Sequence, residues 1–63
     1  MELREAARKY LEALGDYNRD RRTYHYHVNR TRAALQRAHY AEYKRTLWKK
    51  DAEEFARRMV GDE

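Results

Sequence analysis

Residues 22–47 read RTYHYHVNRTRAALQRAHYAEYKRTL, and they carry two nearly uncharged stripes where an ordinary surface helix carries one. At the 100° per residue of an α-helix, Tyr24, Val28, Thr31, Leu35 and Ala38 share one side, with Tyr17 further up the same line. That is the apolar stripe an amphipathic helix turns towards its core. Arg22, Tyr26, Asn29, Ala33, Gln36, Tyr40, Tyr43 and Leu47 follow one another at steps of 4, 3, 4, 3, 4, 3 and 4, so they form a second stripe nearly opposite the first. Only Arg22 in it is charged, although 41% of the chain is. A helix with two such faces needs two neighbours. The expected pair is a core on one side and a binding partner on the other.

One competing local pattern exists. Thr23-Tyr-His-Tyr-His-Val28 alternates and is rich in strand formers, as a short strand would be. A single strand needs a pairing edge that this chain does not offer short of a dimer, so helix is expected.

The flanks complete an all-α reading. Leu3, Ala7, Tyr10 and Leu14 step by 4, 3 and 4, with Ala6 and Leu11 widening the stripe, which predicts a helix over 2–14. Glu2 and Glu5 lie at its start, where acids suit the positive end of the helix dipole. Gly15 follows at the position that favours a left-handed residue, and Asp16 or Asn18 can cap the next helix. A second helix is expected over 17–44. Its core stripe then falters, because Glu42, Arg45 and Lys49 stand where apolar residues belong. A break near Arg45–Lys50 explains this, with Thr46 as a cap or Asp51 and Glu54 as a capping box, and a third helix over 47–60. Trp48, Phe55 and Met59 are too large to leave in water, and folding them back onto the first helix gives a small three-helix bundle, one domain over 1–63. The alternative is an unbroken helix from Tyr17 to Val60. Tyr17, Tyr24, Thr31, Ala38, Arg45, Ala52 and Met59 hold a seven-residue spacing that would suit a helical hairpin dimerising along its second helix.

Composition bounds the function. A chain of 63 residues buries only about 60% of its unfolded surface, so the core is small. It has no cysteine, which excludes disulfides, thiolate metal sites and cysteine nucleophiles. No apolar run approaches the roughly 18 residues of a membrane span, and Met-Glu-Leu-Arg-Glu is not a signal peptide, so a soluble chain without membrane association is expected. There is no serine, and Thr23, Thr31 and Thr46 have no placed base, so no enzyme activity is expected. His25 and His27 point about 160° apart on a helix, His39 lies elsewhere, and no carboxylate completes a ligand set. Neither metal nor cofactor is expected.

Charge and side-chain type point instead to a macromolecular partner. The formal net charge is +4, and between Arg19 and Lys50 ten Arg or Lys face only Asp20 and Glu42. A basic middle suits an acidic protein surface or a nucleic acid, although arginine is also a good helix former that keeps small proteins soluble. The expected partner-binding set is Arg22, His25, Tyr26, Asn29, Arg32, Ala33, Gln36, Tyr40, Tyr43 and Leu47. Tyrosines would serve as rigid anchors, Asn29 and Gln36 as adaptable polar contacts, and Ala33 as the point of close approach. Arg22, Arg32 and Lys44, with Arg30 and Arg37, would form a charged rim. Two other uses of the stripe remain open: packing between both neighbouring helices, or self-association.

The stretch Asn29-Arg-Thr-Arg-Ala-Ala-Leu-Gln-Arg37 loosely resembles the basic region of bZIP factors, with Asn29, Ala33 and Arg37 in matching places. Arg32 and Gln36 depart from that pattern's small residues, and no leucine zipper follows. That resemblance implies nucleic-acid binding, the alternative function. A wider resemblance covers the whole chain in style. ELREAARKYLEALG at one end and DAEEFARRM at the other have regular Ala/Glu/Arg/Leu filling, acids first and bases last, and a glycine stop. They look like computationally designed helical miniproteins, whereas Thr23-Tyr-His-Tyr-His-Val-Asn-Arg-Thr31 does not look like scaffold filler. Small phage-encoded helical inhibitors share this style. The resemblance to designed binders implies a partner-binding function and no enzyme activity.

Overall fold

The computed structural model describes residues 2–15 and 21–61 and forms an all-α three-helix bundle. Helix α1 runs Leu3–Leu14, α2 Arg21–Tyr43 and α3 Lys49–Gly61. The chain breaks after Tyr43, so the unbroken second helix is excluded, and Thr23–Val28 is helical. The expected start of the second helix at Tyr17 and the caps at Asp16 or Asn18 lie outside the described residues. No described helix is long and apolar enough to cross a membrane.

The core is organised around α1, not around the longer α2. Leu3, Ala6, Ala7, Tyr10 and Ala13 are all buried, which gives α1 a face wide enough for two neighbours. Both α2 and α3 pack on it, while they meet each other only sparsely. α2 contributes its expected stripe: Leu35 is fully buried, and Tyr24, Val28, Thr31 and Ala38 are half-buried. Thr31 is the polar member, and its Oγ1 donates to the carbonyls of His27 at 2.7 Å and Val28 at 3.1 Å, so its hydroxyl is satisfied within its own helix. α3 adds Ala52 and Ala56, both buried, with Phe55, Met59 and Val60 packed around them. Alanine has no side chain beyond Cβ, so helices meeting through it pack with their backbones close.

Several local expectations are corrected. Gly15 is not left-handed: at φ −80° and ψ −6° it prolongs the helix, and its N–H donates to Leu11 and Glu12 at 3.1 Å each. The left-handed residue is Lys44, at φ 58°, whose N–H donates to the Tyr40 carbonyl at 2.8 Å and closes α2. Asp51 is not a cap but sits in the first turn of α3, which begins two residues earlier at Lys49, and Thr46 lies in the non-helical connection. Within that connection Leu47 turns inward and is 8% exposed, while Trp48 stands 67% exposed. Trp48 therefore does not join the core; the inward position one residue before it is taken by the smaller leucine.

The connection is clasped from α2. His39 donates from Nδ1 to the Arg45 carbonyl at 3.0 Å, and its ring meets Phe55 edge-on at 4.7 Å and Tyr43 at 5.0 Å. This aromatic group is the main link between the end of α2 and α3. A non-glycine residue in the left-handed region is strained, so Lys44→Gly should raise stability by up to about 1 kcal/mol, a gain in melting temperature of about 4–8 °C for a domain of this size. Circular dichroism melts of the two proteins check this.

Candidate partner-binding surface

The outward side of α2 is what α1 leaves uncovered. Arg22, Tyr26, Asn29, Ala33, Gln36 and Tyr40 are all exposed and lie along one line of the helix, with Tyr26 at 57% and Tyr40 at 53%. Exposure of these residues excludes burial of the stripe between two helices; α1 packs on the Leu35 side, with Tyr26 bordering a small depression it shares with Ala6 and Lys9 of α1, and α3 meets α2 at the His39–Phe55 group. Ala33 and Ala41 leave a depression of about 420 Å³ beside Tyr40, bordered by Gln36 and Arg37. Small residues beside a tall aromatic ring provide the relief that a partner's side chain can fill.

The rings are held by local contacts. Arg30 Nη1 donates to the Tyr26 hydroxyl at 2.8 Å, and the same guanidinium lies 6.0 Å from the Tyr26 ring centre. His27 meets Tyr26 edge-on at 5.7 Å. Tyr26 is thus restrained on its own helix before any partner arrives, which lowers the ordering cost of binding.

Four members of the expected set lie elsewhere or do double duty. Leu47 is in the core, because the helix ends at Tyr43 and the seven-residue arithmetic that placed it on the stripe ends with it. Tyr43 is half exposed but also packs on His39 and, at 6.3 Å, on Phe55, so it supports the fold as well. Arg32 is half-buried on the flank of α2 near the Tyr10 hydroxyl and does not rim the outward stripe. His25 is exposed at the edge of the stripe, its ring against Tyr24 at 5.4 Å.

Two features went unread in the sequence. Trp48, Lys49 and Lys50 border an open groove of about 950 Å³, whose other wall includes His25, Val28 and Asn29 of α2 and whose floor includes Tyr10 of α1. The available signal was a tryptophan followed by two lysines at the start of a helix. The second feature is the titration of Tyr10, whose place on the core stripe of α1 was expected but whose shifted pKa was not. Burial pushes its pKa above the ordinary 10.0; Arg32 works against that shift, and Glu53 and Tyr24 add to it. No group of three or more His, Asp or Glu able to hold a metal ion occurs among the described residues.

No family model, curated protein or solved structure matches the chain. The surface is therefore read from its own chemistry.

The raised Tyr10 pKa makes a sign-definite prediction. The folded state favours the neutral phenol, so its contribution is fully present below pH 10 and is lost as pH rises through the higher folded value. Tyr10→Phe should flatten the loss of stability as pH rises above 10, measured by urea denaturation of both proteins at a series of pH values.

Proposed function

We propose that this protein is a binding module that engages another protein, one with an acidic surface, through the outward face of α2, and that it catalyses no reaction. The observation that carries the reading is the pair Tyr26 and Tyr40, more than half exposed on a stripe without a single acid. Tyrosine offers large rigid area with few torsions to freeze, and Asn29 and Gln36 between the rings offer adaptable hydrogen bonds.

Electrostatics favour an acidic partner. α2 carries five arginines against Glu42 alone. Three of the five acids in the flanking helices are engaged locally: Glu5 with Lys9 at 3.8 Å, Glu53 with Arg57 and Glu54 with Arg58 at 2.7 Å each. Such exposed pairs add little stability, but they leave the positive field concentrated on the middle helix. Arginines there would speed encounter with an acidic surface more than they would add affinity. This contrast between self-paired flanking helices and an irregular, tyrosine-rich middle one also supports reading the chain as a designed miniprotein binder. Duplex recognition fits less well: Arg22, Arg30, Arg32 and Arg37 spread around the helix and do not form one phosphate-tracking band, and Arg30 is engaged by Tyr26.

The test is the double variant Tyr26→Ala/Tyr40→Ala. It should keep its helical content and lose no more than about 0.5 kcal/mol of stability per site, whereas Leu35→Ala should cost about 2–5 kcal/mol. The double variant should also fail to bind a protein partner that the parent chain binds. Unfolding of the double variant would show the face to be core. Binding of the parent chain to a generic DNA duplex, lost steeply as salt rises, would move the function to nucleic acid.

A further inference from the structure

The groove beside Trp48 has a chemistry of its own. Its floor and walls are largely apolar, including the Tyr10 ring and Val28, and the indole of Trp48 stands over it 67% exposed. Its volume of about 950 Å³ is in the range of ligand sites, yet it is open to solvent, which suits a length of chain better than an engulfed small molecule. Lys49 and Lys50 form one lip, and His25 stands on the opposite wall.

The two lysines have been left available by their own helix. Glu53 and Glu54 lie four residues after Lys49 and Lys50, where they could have paired with them. Both carboxylates instead accept from the next turn, Glu53 from Arg57 and Glu54 from Arg58 at 2.7 Å each. Among the described residues, neither Lys49 nor Lys50 has an ion pair. They also occupy the first turn of α3, the end where the helix dipole disfavours cations and favours an incoming anion. Among the described residues Glu53 is the one acid on the groove, and its charge is answered by Arg57.

We propose that this groove is a second binding site, for an acidic peptide segment that carries one aromatic side chain. The ring lies on the apolar floor against Trp48, and carboxylates on either side of it meet Lys49 and Lys50. His25 and Asn29 border both this groove and the outward face of α2, but neither Tyr26 nor Tyr40 lines the groove, so variants of the two tyrosines tell the sites apart.

Trp48 is the only tryptophan, so its fluorescence reports the groove directly. The probe is a blocked peptide of sequence Asp-Glu-Phe-Glu-Asp, with Asn-Gln-Phe-Gln-Asn as its neutral counterpart. The expected result is a saturable change in emission with the acidic peptide. Affinity should fall at least about tenfold with the neutral peptide, and equally with Lys49→Gln/Lys50→Gln, whose helical content is checked by circular dichroism. Tyr26→Ala/Tyr40→Ala should leave the titration unchanged, which separates this site from the α2 face. The proposal is overturned by the absence of a saturable change, by equal affinity for the neutral peptide, or by indifference to the loss of both lysines. A single-stranded oligothymidylate that binds more tightly than the acidic peptide would also overturn it, in favour of nucleic acid.

Discussion

The fold rests on alanine-to-helix contact around α1. Ala6 and Ala7 of α1 and Ala52 and Ala56 of α3 are 0–1% exposed, and with Leu35 of α2 they make up the fully covered centre of the molecule. A chain of 63 residues cannot surround several large side chains on all sides. It can bring three helices together where their side chains are shortest, and then close the margins with Leu3, Tyr10, Leu47, Phe55 and Met59. Among the described residues Tyr10 is the one buried residue that carries a polar group, and no fully buried side-chain nitrogen or oxygen lacks a hydrogen-bond partner. The small core therefore carries little desolvation cost to set against its modest apolar gain.

Placing α1 at the hub determines what the other helices have left over. α2 is the longest element but gives only Leu35 to the fully covered centre, so most of its residues are exposed. That side holds the tyrosines, the amides and a small-residue depression. α3 is short and turns its alanines inward, which leaves Trp48 and the two lysines at its entrance on the surface. Both candidate binding surfaces thus arise from one cause: the core needs few large residues, and the chain contains more of them than the core takes up.

Much of the fold was legible in the residues. The 4, 3, 4, 3 stepping found all three helices, and charged residues at core positions (Glu42, Arg45, Lys49) located the break between the second and third. The outward stripe from Arg22 to Tyr40 was legible for the same reason, since periodicity alone fixes a face. Errors gathered where periodicity stops carrying information. Leu47 was counted onto the stripe across a break that frees its side chain to point inward. Trp48 was assigned to the core by size, but burial is decided by position, and its position precedes the helix that would have turned it inward. Gly15 drew the left-handed role that Lys44 performs, because a preference for glycine there is no requirement. The alanines read as minor widening of a stripe; that they form the centre depends on which helices approach each other, which a single-helix pattern does not encode.

The central claim is that the outward face of α2 is not used by the folded chain itself. The most direct measurement is the mass in solution by light scattering at micromolar concentration. The expected mass is that of one chain, 7.8 kDa, with the tyrosine face open to a partner of another kind. Twice that mass, reverting to a single chain on Tyr26→Ala/Tyr40→Ala, would contradict it and assign the face to self-association.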